Sequence, residues 1–365
     1  MALLLRKAMK ARVADCVSIE LDHDYVTFHG SAQEALAVYL SGDLILRLDE
    51  PLTVKHIRLH LFGIRRISNP TRNAWKHSSC EDEFHKQTWE FHDKYRTSPQ
   101  TLPAGEYKYP FSILLDGSLP GTVEGVREAS IAYSFKAEIG RKNGRDTLCR
   151  KPLRIIRVPE LYTRELTLDE VWADKIAYRI QVPNTSVAFG TVVDVRYCFV
   201  PLLSDLKIEY VESEILEILD IAVNDGPMIS SRVNSTTVIC SDRHIIDDDF
   251  AADVFKDGEE YHLLRTLCPP RKLGQSVQDT EAMGIRVKHK LKITVRMQNP
   301  DGHLSELRLS IPIYIYLSPN YPVWDPLFSS QALPPPDTNF SNDEAPPPYG
   351  RHSFDQLFEP EAPST

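Results

Sequence analysis

Apolar and polar positions alternate with a period of two along most of this chain. Ile131, Tyr133, Phe135, Ala137 and Ile139 share one face of a strand. Ile176, Tyr178, Ile180 and Val182 do the same, with Lys175, Ala177, Arg179 and Gln181 opposite. Val193, Val195, Tyr197 and Phe199 repeat the pattern. So do Val287, His289, Leu291, Ile293 and Val295, against Arg286, Lys288, Lys290, Lys292 and Arg296. Ile311, Ile313, Ile315 and Leu317 close the set. Such alternation predicts strands with one face buried and one wet, and β-branched and aromatic residues fill most of the buried positions.

Turn signals separate these runs at Asp116-Gly117, Asn143-Gly144 and Asn299-Pro300-Asp301-Gly302. No long amphipathic helix is visible, and residues 31–38 offer only a short helical candidate. Many strands spaced by turns predict an all-β chain of two antiparallel, immunoglobulin-like sandwiches in tandem. The break is placed near Val158-Pro159-Glu160, which gives an N-terminal extension over 1–15, one sandwich over 16–160 and a second over 161–318. From Pro319 onward the texture changes: 11 of the 26 prolines lie between Pro319 and Pro363. Proline-rich sequence cannot join a central sheet, and this stretch has too little apolar surface for a core. Residues 319–365 are therefore expected to form a tail, mostly disordered and partly extended from 326 on.

Composition adjusts this picture only slightly. The chain has 365 residues, room for two domains, and 42% are hydrophobic, enough for a core in each. The net charge of −9 argues against bulk binding to nucleic acid. The six cysteines, at 16, 80, 149, 198, 240 and 268, contain no CxxC pair, and a reducing compartment is the simpler expectation. The opening MALLLRKAMKAR puts its apolar run before its charges, the reverse of a secretory signal. No stretch approaches the roughly 20 apolar residues of a membrane span. The expectation is a soluble, intracellular protein.

Three stretches go beyond pattern. LPAGEYKYPFSILLDGSLPGTVEG (102–125) resembles the signature of the arrestin N-terminal sandwich. VKHKLKITVRMQNPDGHLSELRLSIPIYI (287–315) resembles the end of its C-terminal sandwich, and LHLFGI (59–64) fits an early strand of the first. The resemblance covers roughly 16–318 and is closest to the α-arrestins, the arrestin-related trafficking adaptors, in their fungal branch. It implies a non-enzymatic adaptor, cytoplasmic and recruited to plasma membrane or endosomes. Such an adaptor links the cytoplasmic tails of transporters or receptors to a WW-domain HECT-type ubiquitin ligase, so that the cargo is ubiquitinated and internalised. Peripheral membrane association is compatible with that role; the acidic net charge predicts no nucleic acid partner, and no cofactor is expected since no cofactor-binding motif is visible. Many members carry several PPxY motifs; here only Pro346-Pro347-Pro348-Tyr349 is complete, since Pro334-Pro335-Pro336 runs into Asp337.

That motif has a physical reading. Pro346 to Tyr349 should sample polyproline II, which is extended and lacks internal hydrogen bonds. A WW groove lined by aromatic residues accepts such a helix with little further ordering. Pro346 and Pro347 would fill the proline groove, and Tyr349 a second pocket. Beyond them, Ser353 and Gln356 have capping-box spacing. Phe354, Leu357 and Phe358 would share one face of a short helical turn and extend the contact.

The remaining constellations carry weaker signals. Arg286, Lys288, Lys290, Lys292 and Arg296 place five cations on one strand face. They suit lipid phosphates or an acidic cargo tail at about 1 kcal/mol per cation, or else an ordinary solvated face with neighbouring acids. His289, on the opposite face, reads as a satisfied core histidine. His77, Cys80, His85 and His92 are zinc-type residues at no common ligand spacing, in a polar segment suited to a long loop, and no metal is expected there. Asp247-Asp248-Asp249 with Asp253, Asp257, Glu259 and Glu260 lacks EF-hand spacing and reads as a solvated acidic loop. No nucleophile elbow, P-loop or dinucleotide fingerprint is present. Two rival classes stand beside the adaptor: an arrestin-fold sorting or signalling scaffold that does not drive ubiquitination, and, remotely, a β-sandwich carbohydrate enzyme with carboxylates distant in sequence.

Overall fold

The computed structural model describes residues 17–69, 78–91, 99–158, 165–225, 228–246, 254–257 and 260–318. All its regular elements are strands. The first nine are β1 (Val17–Leu21), β2 (Tyr25–His29), β3 (Val38–Leu48), β4 (Leu52–Asn69), β5 (Ser78–Glu90), β6 (Gln100–Leu102), β7 (Gly105–Leu115), β8 (Ala129–Arg141) and β9 (Thr147–Val158). They form a three-stranded sheet, β1-β3-β7, facing a six-stranded one, β2-β9-β8-β4-β5 with β6 added on β4. Alternation puts Ile131, Tyr133, Phe135, Ala137 and Ile139 of β8 inside, as the sequence predicts. The rings of Trp89, Phe111 and Phe135 meet with centroids 5.3–6.2 Å apart, each pair adding roughly 0.5–1.5 kcal/mol beyond its buried area.

The second sandwich holds β10 (Leu166–Trp172), β11 (Ile176–Val182), β12 (Ser186–Ala188), β13 (Val193–Pro201), β14 (Lys207–Asp225), β15 (Met228–Ile245), β16 (Val254–Asp257), β17 (Glu260–Leu267), β18 (Thr280–Ala282), β19 (Ile285–Gln298) and β20 (Leu304–Tyr316). One sheet runs β10-β11-β13-β17-β16. The other runs β12-β20-β19-β14-β15, with β18 on β19. The alternating residues of β11, β13 and β20 face this core, as do Leu291, Ile293 and Val295 of β19, while Val287 and His289 of β19 are buried further along the strand.

Three expectations are corrected. The sheets are not wholly antiparallel: β2 pairs with β9, and β12 with β20, in parallel. Residues 31–38 form one turn and no helix. Glu34 accepts from the Ser31 amide at 3.2 Å and hydroxyl at 2.6 Å, but Leu36 is 85% exposed, so there is no buried face to propagate a helix. Residues 78–90, read as part of a polar loop, are β5, paired with β4 from Asn69 to Arg58. An edge strand needs few apolar residues, and here mainly Phe84 and Trp89 pack inward.

The two cores interlock. Ile156 and Val158, at the end of β9, are buried in the second core, while Ile221 of β14 and Ile285 of β19 are buried in the first. Each such side chain contributes about 2 kcal/mol on burial. Polar links follow the same seam. Gln278 Nε2 donates to the Thr122 carbonyl at 2.6 Å, and Arg65 Nη1 to the Met283 carbonyl at 2.6 Å. The Arg157 guanidinium donates to the carbonyls of Gly30, Gly117 and Leu119 at 2.7–3.0 Å, gathering the loops at that end of the first sandwich. Gly125, at φ +89, lies so close to Gly274 that a Cβ there would sit 2.6 Å from the Gly274 nitrogen. A side chain at 125 would therefore meet both left-handed backbone strain and a backbone clash.

Beside the seam lies a buried ionic cluster. His289 is the satisfied core histidine expected from its position, 3% exposed. Its Nδ1 meets Asp279 Oδ2 at 2.7 Å and its Nε2 meets Glu217 Oε2 at 3.3 Å. Asp279 also accepts the amides of Ile315 at 2.6 Å and His289 at 3.2 Å. Burial alone would lower the imidazole pKa, but the hydrogen bonds and charges of the two carboxylates raise it to about 9.

Two outcomes are expected. Because the cores share residues, Phe135→Ala in the first sandwich and Phe199→Ala in the second should each cost about 3–5 kcal/mol and lower the same calorimetric transition. Two separable transitions, each moved by one variant alone, would contradict the interlocked cores. The second outcome concerns pH. An unfolded histidine titrates near about 6.5, so the cluster's stabilisation is complete below that pH and lost as pH rises through about 9. Urea midpoints should fall from neutral to alkaline pH, and in Glu217→Gln the fall should be smaller and end at lower pH. Superimposable profiles for parent and variant would contradict this.

Candidate functional site

Pro346, Pro347, Tyr349, Phe354, Leu357 and Phe358 lie outside the described residues, as do the remainder of the tail, the 1–15 extension, His77, His92 and most of the acidic run. Of that run, Asp257 ends β16 and Glu260 begins β17. Cys80 and His85 both lie on β5.

The five cations of β19 do lie on one face, and that face is built with its own acids. Strand register sets Arg286 opposite Asp220 and Lys292 opposite Glu214. Arg286 pairs with Glu281 of β18, and Lys288 reaches the same carboxylate at 3.6 Å. The Arg286 hydrogen bond holds the Glu281 carboxyl below its ordinary range. Lys292 meets Glu214 at 2.7 Å, and Arg296 meets Glu209 at 3.2 Å and Glu306 at 3.9 Å. Lys290 stands half-buried between Leu216 and Pro312. Surface pairs of this kind contribute about 0–1 kcal/mol each, so an incoming phosphate or acidic tail would have to displace them, at small cost per pair.

A second constellation is assembled by the fold from residues far apart in sequence. On the outer face of the five-stranded sheet, register aligns Asp169, Arg179, Cys198 and His262 across β10, β11, β13 and β17. Glu260 precedes His262 by two residues and so shares its face. The Cys198 thiol lies 3.8 Å from Glu260 Oε2, and His262 Nε2 lies 3.3 Å from the same oxygen. Burial first, and then the Glu260 charge, push the Cys198 thiol pKa up. Arg179 is neutralised by Asp169, at 2.7 and 2.5 Å. Arg179, Cys198, Glu260 and His262, with Gln181, Arg196 and Leu264, line an open groove of about 500 Å³. Nothing local in the sequence pointed to this set. Its only trace is a cysteine on the polar face of β13 and an i, i+2 Glu-x-His on β17.

His56, Glu138 and Asp146 form a further cluster in the first sandwich. There Glu138 is shared between His56 at 3.2 Å and Lys136 at 3.5 Å, and no thiol is present.

Comparison with known proteins agrees with this architecture. Residues 17–161 match the family model described as Arrestin (or S-antigen), N-terminal domain, and residues 172–320 match that of the C-terminal domain. The HECT-type ubiquitin ligase-interacting protein apyA of Emericella nidulans is 52% identical, over 99% of this chain and 100% of its own length. The HECT-type ubiquitin ligase-interacting protein creD of the same organism is 40% identical over 95% of this chain. So is the probable creD of Aspergillus terreus. The chain spans only 60% and 62% of those two longer proteins. With two arrestin domains matched in order and together covering most of its length, the chain belongs to the arrestin family.

Proposed function

We propose that this protein is an adaptor. Its PPxY motif recruits a WW-domain HECT-type ubiquitin ligase, and its sandwiches engage the cytoplasmic tails of plasma-membrane transporters or receptors, promoting their ubiquitination and endocytosis. The observation that carries the reading is Pro346-Pro347-Pro348-Tyr349, a single complete PPxY, in a chain whose relatives are named for interacting with HECT-type ligases. Two rigid sandwiches with broad strand faces suit protein recognition, and an adaptor needs surfaces rather than turnover. The cationic face of β19 is one candidate surface for an acidic tail or for lipid phosphate, at which the anion would exchange with Glu281, Glu214 and Glu209. The site of action is the cytoplasm, with recruitment to plasma membrane or endosomes.

Tyr349 is the residue on which the ligase contact should turn. It follows β20, the last strand among the described residues, in sequence, and neither core as described includes it. Tyr349→Ala should leave the thermal transition within about 0.5 kcal/mol of the parent. A lone PPxY–WW contact is micromolar, roughly −8 kcal/mol, and losing a hot-spot side chain removes about 2 kcal/mol or more. No second complete motif is present in the sequence to sustain binding by avidity. Calorimetric titration of ligase WW domains into the full chain measures this: binding should fall at least about thirtyfold in the variant. Equal affinity for parent and variant would remove the motif from the account. Retention of membrane proteins without any ligase would indicate a sorting scaffold instead.

A further inference from the structure

The geometry points to a zinc-type metal site on the second sandwich, formed by Cys198 Sγ of β13 with Glu260 and His262 of β17. The three donor atoms lie within 4.8 Å of one another. Tetrahedral zinc, with Zn–S near 2.3 Å and Zn–O and Zn–N near 2.0–2.1 Å, separates sulfur from oxygen by about 3.5 Å and nitrogen from oxygen by about 3.3 Å. The side chains stand at 3.8 and 3.3 Å, so the oxygen–nitrogen spacing is already that of a bound ion and the sulfur is a few tenths of an ångström away. Adjacent strands fix this spacing, because Cys198 and His262 are directly opposed in the β13–β17 register.

The charges also fit. On binding, the thiol proton of Cys198 leaves to solvent and a sulfur–metal bond forms. Thiolate and carboxylate then neutralise a divalent cation, while the imidazole binds through a neutral nitrogen. Arg179 does not oppose the ion with its full charge, since Asp169 holds it in a two-pronged pair. Arg196 borders the groove and is exposed to solvent, which screens it. A soft sulfur, a borderline nitrogen and one carboxylate oxygen favour zinc over magnesium or calcium, which take oxygen ligands. The fourth position faces the open groove and is available to water. The ion would tie β13 to β17 near the edge of the sheet. This site is independent of the ligase contact in the tail.

The test uses the full chain and Zn²⁺ itself, titrated against a chromogenic chelator, with Co²⁺ substitution to report sulfur ligation. One equivalent should bind, and the cobalt form should show thiolate charge-transfer absorption. Cys198→Ser, Glu260→Gln and His262→Gln should each weaken binding about tenfold or more, while Cys80→Ser should leave it unchanged. In the unaltered chain, Zn²⁺ should slow alkylation of Cys198 relative to Cys149 and Cys240, as read by mass spectrometry; this measurement requires no variant to fold. Failure to retain an ion against the chelator would overturn the site. So would an alkylation rate at Cys198 that ignores Zn²⁺, or binding that survives Cys198→Ser but is lost with Cys80→Ser.

Discussion

The structure depends on the seam where each sandwich completes the core of the other. A sandwich with an open end would leave apolar residues of its last strands in water. Here Ile156 and Val158 leave the first sandwich to finish the second, and Ile221 and Ile285 make the reverse crossing. The buried His289–Asp279–Glu217 cluster follows the same line. A buried ion pair is weak support for stability in itself, since desolvation offsets much of its attraction. Its value lies in geometry: Asp279 is saturated by His289 and by the Ile315 amide, and the neighbouring Gln278 carries the connection across to Thr122. The segment joining β17 to β18 is thereby pinned against both sandwiches.

Much of this was legible in the sequence because period-two alternation is a strong signal wherever one face is buried. The inward faces of β8, β11, β13, β19 and β20 could be named residue by residue. What escaped has identifiable causes. β5 carries polar residues on both faces, as an edge strand can, and resembles a loop in composition. The parallel pairing of β2 with β9 is a non-local event with no local mark. His289 was readable as a core histidine, but not its partners, since Glu217 lies on another strand and Asp279 in a connection. The Cys198–Glu260–His262 set was invisible for the same reason: only strand register brings residues 62 positions apart to 3.8 Å.

The cationic face of β19 shows how a one-strand view misleads about charge. Read along the strand, Arg286 to Arg296 is a basic stripe. Read across the sheet, Glu281, Glu214, Glu209 and Glu306 interleave with it, and the stripe becomes a mixed surface. Strand sequences report which face a residue occupies, whereas electrostatics depends on the neighbours that pairing supplies. A surface of this kind discriminates among partners by arrangement rather than by net charge.

Division of labour follows from the chain's two textures. In the proposed function the interlocked sandwiches present fixed surfaces, and the PPxY sequence after them would act at an effective concentration set by the length of chain between them. The central claim is that the two parts act together on one target. The most direct measurement is reconstituted ubiquitination of a membrane protein in vesicles, with a WW-domain HECT-type ligase and the full chain added or withheld. The account predicts that ubiquitin transfer to the membrane protein rises when the chain is present. It also predicts that excess free PPxY peptide abolishes the rise while leaving the chain bound to the vesicles. Transfer that is indifferent to the chain, or a rise that survives saturating peptide, would contradict it.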